Sequence, residues 1–278
     1  MEGLNSRQSD VLLSAPMNFA VWDALIVFGA AFLAGMVNSI AGGGTLISFP
    51  VLVWIGIDPI KANATNTVAL WPGSVAGMFG LRSEIGNGRR LMILLGAPSV
   101  VGSLAGALLL LRTPSDTFAL VVPFLILFAT LLFAAQEALQ RRLLPGSVEV
   151  GKPTLKWQLV ACAFQFAVAV YGGYFGAGIG ILMLAALGLL GLTNIHQMNG
   201  LKNFFAALIN GVAAIYFVWS KAVSWPHALV MAAGAVAGGF GGAGLARRLG
   251  RRTVRRLVIL VGAAMTLSLM LRYFGLLN

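Results

Sequence analysis

The sequence predicts an all-α polytopic membrane protein made of two inverted repeats of about five helical segments each. Three observations predict it. The 278 residues are 59% hydrophobic and 10% charged, whereas a soluble domain carries about 25% charged residues. The apolar residues gather into ten segments divided by short polar or glycine-rich gaps. The second half repeats landmarks of the first at one constant shift: Gly42, Gly44, Leu46, Asn63, Gly102, Gly106 and Arg112 fall on Gly178, Gly180, Leu182, Asn199, Gly238, Gly242 and Arg248, each 136 positions later.

The elements follow in order. Residues 1–19 include Glu2, Arg7 and Asp10 with no basic run before a short apolar core, so they are expected to form an extracytoplasmic N-terminal segment and not a cleaved leader. The first membrane repeat covers 20–140, with apolar segments at 20–40, 45–57, 66–82, 91–112 and 117–140. The segment 45–57 is too short to cross comfortably, since a span needs about 20 residues. It follows the helix-breaking run Gly42-Gly43-Gly44 in "NSIAGGGTLISFP". Pro72-Gly73 is expected to break the third segment and widen a cavity, and Gly102 and Gly106 have the spacing of a helix-packing pair. A basic linker, 141–156, leads to the second membrane repeat at 157–278. Its segments are 157–175, 178–192, 199–219, 226–246 and 254–275, and the short one again follows a glycine-rich break, in "YGGYFGAGIGILML".

Charge sets the expected orientation. The net charge is +11, but the basic residues cluster in gaps: Arg82, Arg89 and Arg90; Arg141, Arg142, Lys152 and Lys156; and the six arginines from Arg247 to Arg256. That distribution follows the positive-inside rule and does not ask for a nucleic-acid partner. If all ten segments change sides, the clusters share one face, which is then cytoplasmic, with both termini outside. If each short segment continues its predecessor, the clusters split between faces, so the ten-segment parity is preferred. Two crossings and a partial hairpin give the same parity for each short segment. An odd number of segments per repeat inverts the second repeat relative to the first, an architecture of many secondary transporters.

The chemistry gathers around the breaks. Non-helical backbone is tolerated at membrane depth only where protein or a watery cavity satisfies it. A helix that starts at Gly42, Gly43 and Gly44 presents amides to an anion, and Gly178 and Gly180 repeat the device. Neutral donors flank both: Asn38, Thr45, Asn63, Thr65, Asn66 and Thr67 in the first half, Asn199, Asn203 and Asn210 in the second, with Lys202 as the candidate fixed counter-charge. Many hydrogen-bond donors with little permanent charge suit releasable binding of a small oxyanion. Carboxylates are nearly absent from the apolar segments, and His196 and His227 are expected at the interface. No metal-ligand spacing, nucleotide-binding motif or hydrolytic arrangement stands out, so neither a metal nor a cofactor nor an enzymatic role is expected. Cys162 reads as a small core residue.

The stretches "GMVNSIAGGGTLISFPVLVWIGIDPIKANATNTVALWPGSVAG", "GGYFGAGIGILMLAALGLLGLTNIHQMNGLKNFFAALINGVAAIYF" and "GAVAGGFGGAGLARRLGRRTVRRLV" resemble the TauE/SafE sulfite exporter family over about Val21 to Gly275. The resemblance implies a bacterial inner-membrane carrier of sulfur-containing anions such as sulfite or organosulfonates. That family is often counted as eight-helical, whereas the charges here ask for ten crossings or their equivalent. The leading expectation is a secondary transporter of a small sulfur anion working by alternating access. A non-transporting membrane scaffold, or a thiosulfate carrier of the cysteine-using type, are the alternatives. Cys162 lies outside both breaks and counts against the latter.

Overall fold

A computed structural model describes residues 21–40, 43–86, 88–143, 154–192, 194–249 and 251–273. Gly42, the N-terminal segment 1–19 and most of the linker 141–156 lie outside them, and the side chains of Arg141, Arg142, Arg247, Arg248, Arg251 and Arg252 are likewise not described. The described residues form ten α-helices and one short 3-10 turn, Arg82–Ile85. The first five are α1 (Val21–Ile40), α2 (Thr45–Trp54), α3 (Pro59–Gly80), α4 (Arg89–Arg112) and α5 (Ser115–Leu143). The second five are α6 (Leu155–Tyr174), α7 (Ile179–Leu189), α8 (Ile195–Trp219), α9 (Trp225–Leu249) and α10 (Arg251–Tyr273). Five of them, α1, α4, α5, α6 and α8, are long and apolar enough to cross a membrane. The two short helices, α2 and α7, have 10 and 11 residues.

Two helices start earlier than their apolar segments. α3 begins at Pro59, not at 66, because Asp58 Oδ1 accepts from the amides of Ile60 and Lys61 and Pro59 occupies the first turn, where its missing N–H costs nothing. α8 begins at Ile195, not at 199, because Asn194 Oδ1 accepts from His196 N and Gln197 N. The two caps are themselves 136 positions apart. Contrary to expectation, α3 runs on through Pro72-Gly73 without interruption. The arginines from Arg251 lie within α10 and not in a loop.

Helix directions follow from close contacts. A Cβ on Gly234 would stand 2.6 Å from Phe28 O, and one on Gly238 would collide with Phe32 O, four residues further along both chains, so α1 and α9 run parallel. A Cβ on Gly102 would stand 2.6 Å from Phe166 O, and one on Gly106 would collide with Val170 O, so α4 and α6 also run parallel. These glycines let backbones meet, the packing role expected of Gly102 and Gly106. In contrast α3 and α8 are antiparallel. Gln197 Nε2 donates to Ile85 O (3.1 Å), Asn203 Nδ2 to Gly77 O (3.3 Å) and Trp71 Nε1 to Ala207 O (3.1 Å). α5 and α10 are antiparallel too, since Thr130 meets Gly262 while Phe133 O accepts from Arg255 Nε at 3.3 Å.

The core is built where these pairs converge. Phe49, Phe118, Phe133, Phe175, Phe205 and Phe217 are fully buried. Phe28, Phe124, Leu131, Leu155, Ile215 and Leu260 are among the apolar side chains left on the outside. Such a periphery suits lipid and not water, because lipid contact costs an apolar side chain nothing.

Candidate functional site

Each half breaks its helix at a glycine with positive φ. Gly43 has φ of 90°, and Gly176 and Gly178 have φ of 82° and 77°, a region that side chains with a Cβ rarely enter. The two breaks lie against one turn of α5. A Cβ on Gly43 would stand 2.9 Å from the Phe133 ring, and one on Gly178 would stand 3.7 Å from Ala129 O. Ala129 and Phe133 are the fifteenth and nineteenth of the 22 residues of the apolar span of α5, Ser115–Gln136, so the breaks sit in its C-terminal half. The Phe49 ring of α2 packs edge-on to Phe175 of the second break, with centroids 5.3 Å apart.

At the first break the polar groups answer one another. Asn38 Oδ1 accepts from Gly44 N at 2.8 Å. This amide, expected to face an anion, is therefore satisfied within the chain. A Cβ on Gly44 would collide with Ala34 O, so this glycine lets α2 fold back on α1. Ser48 Oγ donates to Asn66 Oδ1 at 2.5 Å, and Asn66 Nδ2 reaches Thr45 Oγ1 at 3.4 Å, which ties α2 to α3. Ser48 and Asn66 are buried, each 1% exposed. Arg255 donates from Nε and Nη2 to the carbonyls of Phe133 and Ala134, bringing a cation to the α5 turn that Gly43 meets.

The second break is held differently. Asn63 Nδ2 donates to Tyr174 O at 2.9 Å, across 111 residues, at the C-terminal end of α6. Tyr171 OH donates to Ala177 O at 2.7 Å and clasps the turn. Gly180 makes room for Lys202, whose Cδ would stand 3.2 Å from a Cβ there. Lys202 occupies the position equivalent to Asn66, so each hairpin sets one polar side chain of its third helix against its short helix.

The remaining predicted residues divide. Thr65 Oγ1 donates to Lys61 O (2.6 Å) and accepts from Ser224 N (2.9 Å), and Thr67 Oγ1 donates to Asn63 O (2.9 Å). Asn210 Nδ2 reaches Ser74 Oγ at 3.5 Å, and Asn203 bonds Gly77 O as above. Asn63 and Asn199, equivalent by the repeat, are not brought together. Asn199 lies beside Gly200, which packs on Leu81 and Ile85. It is thus level with the residues just past the end of α3, about 28 Å from Asn63 at 1.5 Å per residue. Sequence reasoning missed Ser48, Trp71, Tyr171 and Phe133. His227 is buried and its Nδ1 lies 2.7 Å from Ser224 Oγ. Tyr171 opens the quoted "YGGY" run, and that was the available signal. His196 is exposed beside Glu84. Among the described residues no three of His, Cys, Asp and Glu gather in a way that would hold a metal ion.

Among the described residues, ten helices with an apolar periphery, two of them short and preceded by breaks that face one turn of α5, define a polytopic membrane protein with discontinuous helices. The chain belongs to the sulfite exporter TauE/SafE family, whose model matches residues 27–269. It is therefore a membrane transporter, a multi-pass protein of the bacterial inner membrane. It is 29% identical to the probable membrane transporter protein YfcA of Escherichia coli strain K12 over 255 residues, covering 88% of each chain. It is also 29% identical to a probable membrane transporter protein of Haemophilus influenzae, over 87% of this chain and 92% of that one. Against the probable membrane transporter protein YunE of Bacillus subtilis it is 27% identical, over 88% of this chain and 96% of that one. No solved structure matches the chain.

Proposed function

We propose that this transporter is a secondary carrier of a small sulfur-containing anion, sulfite or an organosulfonate, and that it works by alternating access between two inverted repeats. One observation carries the mechanism: the two glycine breaks meet the same turn of α5 at Ala129 and Phe133. A site placed there lies between the halves, where rocking of one against the other opens it to either side. The inverted relation is supported by the antiparallel α3/α8 pair. Its contacts Trp71–Ala207 and Ser74–Asn210 each join residues 136 positions apart, as a pseudo-two-fold axis crossing the pair requires. The axis falls at the level of Pro72. Repeats at 20–140 and 157–278, with the linker 141–156 between them on the cytoplasmic side, complete the proposal.

The donors suit an oxyanion. Thr45, Ser48 and Asn66 form a neutral cluster beside the first break, with Ser48 and Asn66 buried and Thr45 half-buried. Arg255 and Lys202, both of the second half, bring positive charge to the α5 turn that the first break meets and to the short helix after the second. The choice of a sulfur anion, and of export over uptake, rests on the family. The test is flux of labelled sulfite, thiosulfate and short sulfonates in proteoliposomes, with and without a pH gradient. Saturable flux of sulfite or a sulfonate is expected. Flux of none of them, in vesicles where the protein is correctly folded, would sink the substrate proposal.

A further inference from the structure

We infer that the second break, at the C-terminal end of α6, binds a monovalent cation through neutral oxygens, with Asn63 Oδ1 as its side-chain ligand. Asn63 is 1% exposed. Its Nδ2 is committed to Tyr174 O, which fixes the orientation of the amide, and its Oδ1 is buried with no hydrogen-bond partner. A buried acceptor left without a donor is destabilising, and a bound cation removes that cost.

The surroundings select the sign of the ligand. The last four carbonyls of a helix lack partners within it. In α6 these belong to Tyr171, Gly172, Gly173 and Tyr174. The amides of Phe175 and Gly176 both turn back to Tyr171 O, at 2.9 and 3.1 Å, and Asn63 takes Tyr174 O. Gly172 and Gly173 supply the other two end carbonyls, and Gly172 O stands 3.0 Å from where a Cβ of Gly176 would be. A larger residue at Gly176 would crowd that oxygen. The helix end carries roughly half a negative charge. Oxygen acceptors at a negative helix end fit a hard cation, and not the anion that the amides of a helix start would attract. No carboxylate is among these groups, so the charge balance suits one positive charge and not two. Lys61 is two residues from Asn63 and therefore about 200° around α3, on the opposite side of the helix.

Sodium is the cation proposed, because broken-helix carbonyls and half-helix C-termini are chemically suited to it. The binding claim stands on these oxygens alone. Its use for coupling rests on the transport reading above, with the cation offsetting the charge of the anion at the neighbouring break.

The test is made on purified full-length protein without any sulfur anion. 22Na+ binding and the melting temperature are measured in NaCl, KCl and choline chloride at constant ionic strength. Saturable 22Na+ binding and a rise of about 3 °C in sodium over choline are expected for the wild type. Asn63→Ala should lose both. Asn63→Asp places a charge at the ligand and turns an oxygen towards Tyr174 O, so its melting temperature should depend on sodium more steeply than that of the wild type. Equal melting in the three salts without 22Na+ binding would assign the Asn63 oxygen to a buried water and overturn the inference. So would full sodium dependence in Asn63→Ala. If that variant cannot be purified, a sodium dependence unchanged in Asn63→Asp overturns it equally. An effect of potassium equal to that of sodium would overturn the choice of ion. Loss of sulfite and sulfonate flux with 22Na+ binding intact would count against the substrate proposal alone.

Discussion

Glycine does two kinds of work in this chain, and they separate residue by residue. Gly106 lies where α4 meets α6, and a Cβ there would strike the Val170 carbonyl. Gly43 sits in a left-handed turn with the Phe133 ring beside it. Helix propensity alone would put the cost of Gly43→Leu at roughly 1 kcal/mol. The structure raises it, since a positive φ for a non-glycine residue adds about 1–3 kcal/mol and the ring must move. Gly43→Leu is expected to abolish anion flux while the protein still inserts and elutes as one species. Gly106→Ala is expected to lower thermal stability through backbone separation and to leave anion affinity in the surviving protein near that of the wild type. Unchanged affinity in Gly43→Leu with weakened affinity in Gly106→Ala would reverse these assignments.

At the scale of the element, what matters is where helices start and stop. The prolines at 50, 72, 98 and 123 all lie inside helices that continue through them. Membrane helices tolerate this because neighbouring groups take up the freed carbonyls. That is why Pro72-Gly73 reads as a break in the sequence and is none in α3. The starts of α3 and α8 depend instead on Asp58 and Asn194. Replacing either with alanine should cost about 1 kcal/mol, read as a lower midpoint of thermal unfolding for the purified protein. A fall for Asp58→Ala without one for Asn194→Ala would show that only the first cap matters. The short helices are placed by their contacts and not by length. α2 is tied to α3 by Ser48 and Asn66, and the turn before α7 is tied by Asn63 and Tyr171.

At the scale of the whole molecule, direction is the deciding feature. Were each short helix a continuation of its predecessor, α3 and α8 would run the same way. They run oppositely, and so do α5 and α10. The second hairpin therefore turns back, and since α1 and α9 run parallel the first must turn back as well, as the parity of the basic clusters asks. Single cysteines on a Cys162→Ala background test the orientation. A cysteine at Arg82 or Ser83 should be protected from a membrane-impermeant maleimide added outside intact cells. One at Thr113, beyond the end of α4, should be labelled. Labelling at 82 with protection at 113 would invert the molecule.

The sequence by itself determined the environment, the number of helical segments and the register of the repeat. Composition, apolar run length and a constant shift of glycines are one-dimensional signals, and burial in lipid imposes them locally. It also marked Asn38, Asn63 and Asn66 as polar side chains in apolar runs, which need partners wherever they fall, but it passed over Ser48 and Tyr171. Which partners they take was decided only in three dimensions. Asn63 meets Tyr174 across 111 residues, and Asn38 takes the Gly44 amide that the local pattern left for a ligand. Asn63 and Asn199 look like one site in the repeat, yet the antiparallel run of α3 against α8 sends them to opposite ends. An inverted repeat equates positions along the chain. In the inversion proposed above only those near the axis would meet in space, and among the described residues Trp71 meets Ala207 and Ser74 meets Asn210.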